Sequence, residues 1–133
     1  MTKAWKRVLQ PAMEFTMNDL GEVRSVVDRA ARAAGVSADA AHALVISVSE
    51  LAANAIRYAG GKGRLTVMET AEDVRVEVSD DGPGLPAGLP EGPPPVDATG
   101  GRGLWIVRQL CRDVHVSRSD RGVTVLLRVP RTA

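Results

Sequence analysis

Glu50-Leu51-Ala52-Ala53-Asn54, Asp80-Asp81-Gly82-Pro83-Gly84 and Gly101-Arg102-Gly103-Leu104 follow one another in that order along the chain, and their combination decides how it is read. Around the first, Leu44, Val48, Leu51, Ala55 and Ala59 recur at spacings of three and four, the pattern of an amphipathic helix. Ser37 is its expected cap, and Gly60-Gly61 its expected end. Ser47, Glu50, Asn54 and Arg57 share a different flank. Residues four apart on a helix are surface neighbours, so Glu50 and Asn54 can address one small volume. A carboxylate there can accept a proton. A neutral amide oxygen suits Mg²⁺, which keeps several waters and takes phosphate oxygens as its other ligands. Arg57 can meet a phosphate.

The second stretch follows Val74-Arg75-Val76-Glu77-Val78, whose period of two predicts a strand. An Asp at a strand end can accept a hydrogen bond from the exocyclic amine of adenine, one polar contact in an apolar pocket. The third stretch opens the apolar segment Leu104-Trp105-Ile106-Val107. Free amides at a helix start attract phosphate. Neither familiar glycine signature applies: Ile106 stands where a dinucleotide fingerprint needs its third glycine, and Gly61-Lys62-Gly63-Arg64 precedes a strand and lacks the P-loop Lys-Ser/Thr. Taken singly, the three stretches also fit a solvated helix face, an Asp-Gly turn and a hinge.

Working outward, residues 5 to 16 read as a weak strand or two broken near Pro11. A helix follows from Thr16 or Asn18 to about Ala34, stopped by Gly35. Leu65 and Val67 mark a strand paired with Val74 to Val78 through a turn near Ala71 to Asp73. Residues 85–100 are rich in Pro and Gly and longer than most connections in compact domains, which suggests a lid. A helix from about Arg102 to Arg112 and two strands, roughly Val114 to Arg118 and Val123 to Val129, complete the order β, α, α, β, β, lid, α, β, β. Such strand hairpins beside helices predict an α+β sandwich, its sheet antiparallel or mixed and covered on one face.

The chain has 133 residues, the size of one domain. It is 44% hydrophobic with one Phe and one Tyr, so its core must be aliphatic. A net charge of +1 supplies no broad field for nucleic acid or membrane. One Cys and two His argue against a disulfide framework or a structural zinc site. Cys111 reads as a buried helix residue, and His42 as a structural or surface residue. The absence of a long apolar run or a signal-peptide pattern makes the cytoplasm the default expectation.

The three stretches resemble the N, G1 and G2 boxes of the gyrase, heat-shock chaperone, histidine-kinase and MutL superfamily of ATP-binding domains, over about residues 13 to 130. Ser49 to Ala55 with Arg57-Tyr58-Ala59, Asp80 to Pro86, and Gly101 to Val107 are most similar to the small anti-sigma factor/serine-protein kinases. The resemblance implies a Bergerat-type two-layer α/β sandwich, with a mixed, mostly antiparallel sheet covered on one face by three helices. It implies ATP and Mg²⁺ as ligands. Glu50 would then be the catalytic base and Asn54 the Mg²⁺ ligand, with Arg57 near phosphate. Asp80 would bind the adenine amine, and Gly82 and Gly84 would form the base pocket. Gly101, Arg102, Gly103 and Leu104 would give amides to the phosphates as part of the lid. Thr124 would be the hydroxyl supporting Asp80. The implied partners are a sigma factor and a STAS-type antagonist phosphorylated on Ser or Thr, with homodimerisation left open. Two alternatives stand beside this: an ATP-binding interaction module without phosphotransfer, and a histidine-kinase catalytic domain acting in trans.

Overall fold

The computed structural model describes residues 5–58, 60–82, 102–111 and 113–131. The expected lid, residues 85–100, lies outside them, as do Gly84 and Gly101. The elements are β1 (Lys6–Thr16), a short 3₁₀ turn (Met17–Asp19), α1 (Leu20–Ala33), α2 (Ala38–Tyr58), β2 (Lys62–Thr70), β3 (Asp73–Asp80), α3 (Arg102–Leu110), β4 (Asp113–Ser119) and β5 (Gly122–Pro130). The five strands form one sheet in the order β1-β2-β3-β5-β4. All four pairings are antiparallel, one of the two arrangements that the sequence left open, and three helices complete the expected α+β fold.

Local chemistry sets the boundaries. The carboxylate of Asp19 accepts hydrogen bonds from the Thr16 amide (2.8 Å) and hydroxyl (3.2 Å), which turns the chain from β1 into α1. At α2, Ser37 Oγ accepts from the Ala40 amide at 3.2 Å. β1 is a single strand despite Pro11. The irregularity is absorbed by register shifts between Val8 and Gln10 and between Gln10 and Met13. Pro cannot donate to a ladder, and an edge strand is where its absence is tolerated.

Alternation divides the sheet into two faces. Leu65 and Val67, Val74, Val76 and Val78, and Val123, Val125, Leu127 and Val129 are all buried. They pack against Val23, Val26 and Val27 of α1, Leu44, Val48, Leu51 and Ala55 of α2, and Val107 of α3. α2 lies between α1 and α3 in the helical layer. The outward residues, such as Thr66, Glu77 and Thr124, are half-buried, and no described element covers them.

Two packing details carry consequences. Phe15, the only phenylalanine, is buried directly over Gly63, its register partner. Glu69 is 1% exposed on the core face. It is ion-paired to Arg7 and, at 3.8 Å, to Arg131. Arg131 also donates to the carbonyls of Ala34 (2.8 Å) and Thr70 (2.9 Å) and stacks over Trp5. The buried carboxylate thus ties both ends of the described chain to the last turn of α1.

A Cβ added at Gly63 would sit 2.6 Å from the Phe15 ring, whereas one at Gly21 meets nothing within 4 Å. Gly63→Ala is expected to destabilise by about 1–3 kcal/mol, the scale of overpacking. Gly21→Ala on the exposed side of α1 should stabilise by roughly 0.5–1 kcal/mol. Urea midpoints of the two variants against the parent check both signs.

Candidate nucleotide site

Chain connectivity brings the sequence-predicted residues to one end of the sandwich. Only residues 59–61 separate α2 from β2, and Arg64 of β2 pairs with Ser79 near the end of β3. The second half of α2, bearing Glu50, Asn54 and Arg57, is therefore at the Asp80 end of the sheet. The opposite end is marked by a cavity lined jointly by Ala40 and Ala43 of α2, Asp73 at the start of β3, and Leu110 and Cys111 at the end of α3. With its C-terminus there, α3 points its first residue, Arg102, toward the end that holds Asp80.

Within α2, Ser47 is fully buried, not part of a solvated face, and its Oγ accepts a hydrogen bond from the Cys111 thiol at 3.3 Å. Ser47 thereby identifies the flank that faces α3. Glu50 and Asn54 continue that flank along the helix and are half-buried, while Arg57 is exposed. Burial pushes the Cys111 thiol above its ordinary pKa, against the smaller opposing effect of Ser47. Cys111 is a packing residue, as the sequence suggested, because a thiol held protonated is a poor nucleophile.

Asp80 continues the alternation of Val74, Val76 and Val78, so it projects from the helix-covered face. Its Oδ1 accepts a hydrogen bond from the Gly82 amide at 2.8 Å, which fixes the carboxylate. Asp81, the next residue, is exposed. Its two oxygens accept from Arg64 Nη2 at 2.9 Å and Nη1 at 3.3 Å. This bidentate contact, chiefly through its hydrogen bonds, holds the Asp81 carboxyl below the usual carboxylate range.

Thr124 requires a correction. The register places Val123, not Thr124, opposite Asp80, while Thr124 faces Ser79. Val123 is buried and Thr124 half-buried. The Thr124 hydroxyl therefore projects from the uncovered face, away from the Asp80 carboxylate. The signal was already in the chain: Val123, Val125, Leu127 and Val129 alternate, and one of their intervening positions cannot share their face. Sequence reasoning also passed over Gly122. It adopts φ 139° and leaves no room for a side chain, because an added Cβ would overlap the Asp80 carbonyl oxygen. The β4–β5 turn is thus pressed against the strand end that carries Asp80.

The donor set suits a nucleotide with a divalent cation. One fixed carboxylate faces an apolar wall, one half-buried acid and one amide stand a helical turn apart, and a helix start points the same way. No group of three or more His, Cys, Asp or Glu that could hold a metal occurs among the described residues. A magnesium site built on Asn54 would therefore depend on phosphate oxygens and water for its other ligands. Gly103 and Leu104 lie in the first turn of α3.

The model of the histidine kinase-like ATPase domain matches residues 13–129. The chain belongs to that family. Among solved structures, the catalytic domain of histidine kinase ThkA is 24% identical, with a TM-score of 0.56, over 90% of this chain and 97% of that one. The RsbU and RsbW domains of Rv1364c from Mycobacterium tuberculosis are 19% identical, with a TM-score of 0.59, over 92% of this chain but 34% of that one. The Erythrobacter litoralis blue-light activated histidine kinase EL346 is 24% identical, with a TM-score of 0.50, over 84% of this chain and 40% of that one. At these identities the likeness is one of fold. No curated protein matches the sequence significantly. No described helix is long and apolar enough to cross a membrane.

Two outcomes follow for the site. Asp81 should titrate below the ordinary carboxylate range and return to it in Arg64→Gln, followed by carboxyl NMR. Because its folded pKa is depressed, the pair contributes above the unfolded carboxylate range and its contribution is lost as pH falls through the folded value. Gly122→Ala should displace the end of β3, visible as amide shifts at Asp80 and Gly82 larger than those at Val74.

Proposed function

We propose that the chain binds ATP with Mg²⁺ at the end of the sandwich holding Asp80, and acts as an anti-sigma factor/serine-protein kinase. In this reading it sequesters a sigma factor and phosphorylates Ser or Thr of a STAS-type antagonist. The observation that carries the nucleotide part is the convergence of Asp80, Glu50 and Asn54 with the start of α3, in a chain of the ATPase family. Support for the kinase class comes from the intact acid at Glu50 and from the fold likeness to the RsbU and RsbW domains of Rv1364c.

Each residue has a chemical role in this reading. Asp80 accepts a hydrogen bond from the adenine amine through the oxygen not engaged by Gly82, with Val123 as apolar wall beside it. Asn54 offers its amide oxygen to the cation, and Arg57 offers charge to phosphate. Gly82 and Gly84 let the backbone approach the base. Gly101, Arg102, Gly103 and Leu104 present amides to phosphate at a helix start. Mg·ATP, when bound, would supply the phosphoryl group, with the cation held by Asn54 offsetting the phosphate charge. Glu50 accepts the proton of the attacking hydroxyl, so that the oxygen bonds to phosphorus as ADP departs. Thr124 has no part in this set. The fold likeness to histidine kinases keeps one other acceptor in view, a His on a separate chain.

Calorimetry with Mg·ATP should show binding that Asp80→Asn abolishes, that Asn54→Ala strips of its magnesium dependence, and that Thr124→Val leaves unchanged. Glu50→Gln should keep binding and lose transfer to a STAS-type protein by roughly 10²–10⁴-fold, the usual contribution of a positioned base. An acid-stable phosphoprotein supports a Ser or Thr acceptor; an acid-labile one points to His. No binding by the folded parent protein would refute the nucleotide reading.

A further inference from the structure

The end of the sandwich away from Asp80 holds a cavity of about 550 Å³. It lies where the start of α2, the end of α3, the start of β3 and the end of β5 meet. Ala40 and Ala43 come from α2, Leu110 and Cys111 from the end of α3, and Val129 and Pro130 from β5. The volume falls in the range of about 300–1,000 Å³ at which pockets enclose a small molecule. Leu110 lines this concavity and is nevertheless 40% exposed. Its apolar surface is open to a ligand.

Four charged residues also border the cavity: Glu72, Asp73, Asp113 and Arg128. Asp73, Asp113 and Arg128 hold strand positions next to Val74, Val114 and Val129, which belong to the core or pack against it. By that alternation their charged groups belong to the open face of the sheet. There Asp73 accepts from the Thr70 hydroxyl (2.7 Å) and Arg75 Nε (3.0 Å), and Asp113 meets His115 at 2.6 Å. Glu72 is exposed in the β2–β3 turn. The remaining lining is alanine, leucine, valine, proline and a thiol that donates to Ser47. An anion inside would be desolvated without a counter-charge. A cation could reach only Glu72, and pairing with an exposed carboxylate contributes little. The lining therefore favours an uncharged, apolar ligand.

Cys111 joins this cavity to the other end of the sandwich. Its thiol meets Ser47 at 3.3 Å, on the flank of α2 that continues through Glu50 and Asn54. α3 is nine residues long, roughly 13 Å at 1.5 Å per residue. A helix that short shifts against its neighbour as one body. A ligand lodged against Leu110 and Cys111 therefore displaces the first turn of α3 as well. We propose that the cavity binds a small, uncharged, apolar molecule, and that occupancy changes ATP affinity through α3. The binding stands by itself, whereas its effect on ATP rests on the nucleotide site proposed above.

The test is amide NMR of the full chain, titrated with indole as the uncharged probe. Saturable shifts at Ala40, Ala43, Leu110 and Cys111 are expected. Ala43→Phe, which fills the cavity, and Leu110→Ala, which removes part of its wall, should each weaken binding on the order of tenfold. The dispersion of each variant's spectrum verifies its fold. Tryptamine, a cation, and indole acetate, an anion, should bind more weakly than indole. Tighter binding of either charged probe, shifts confined to Leu9, Val26 and Ala30, or affinities unchanged in both variants overturn the site. Saturating indole should change Mg·ATP affinity on the order of fivefold or more, and ATP should change indole affinity by the same factor. Bound indole with unaltered ATP affinity overturns the coupling. A chain that takes indole but no ATP sinks the nucleotide reading and the coupling with it, and leaves the cavity site standing.

Discussion

The register of β3 against β5, with Asp80 opposite Val123 and Ser79 opposite Thr124, is the constraint on which the functional end depends. In a pleated sheet a side chain has one of two faces, and a slip by one residue exchanges them all. The register is held by Val74, Val76 and Val78 on one strand and Val123, Val125, Leu127 and Val129 on the other, all buried against the helices. Moving either set to the open face would expose about 25 cal/mol for every Å² of apolar surface released, summed over several side chains. That cost fixes which polar residues face the helices at the strand ends. Asp80 is one, and Thr124 is not.

The helices add the second constraint. α2 must bury Leu44, Val48, Leu51 and Ala55 on the sheet, and Ser47 closes against Cys111 beyond α3. With its apolar face occupied, the α3-facing flank is left to Glu50 and Asn54. The short link from α2 into β2 then leaves their end of the helix no choice but the end of the sheet where β3 stops. Glu50 and Asn54 are thus placed by the packing of their neighbours and by chain length, with no contact of their own required to hold them there.

The two ends of the sandwich use charge differently. At one, Glu69 is buried and offset by Arg7 and Arg131, an arrangement in which removal of a single partner leaves a charge without compensation. It clasps the first strand, the last strand and α1. At the other, Arg64 and Asp81 pair in solvent, where such a contact contributes little to stability. A pair of that kind can be exchanged for another ligand at small cost, which suits a place beside a binding site better than a place in the core.

Much of this was legible in the chain. The period-two runs, the helical spacing around Leu44 to Ala55 and the terminating glycines located every element to within a few residues, because local periodicity reports the face that burial will demand. Glu50, Asn54 and Asp80 stood out because acids and amides next to glycine turns are chemically conspicuous. The side taken by Thr124 was legible too, in the valines that flank it, but a hydroxyl near a glycine drew the reading away from the pleat. Other features needed the fold. The single β1 through Pro11 depends on being an edge strand. The burial of Ser47 depends on Cys111, sixty-four residues away. The clash that reserves Gly122 depends on the Asp80 carbonyl, and the pairing of Arg64 with Asp81 exists only once β2 and β3 are laid in register. Sequence determined the elements and their apolar faces, which are properties of neighbouring residues. Tertiary structure decided which polar residues meet, since that depends on register and close approach between segments far apart in the chain.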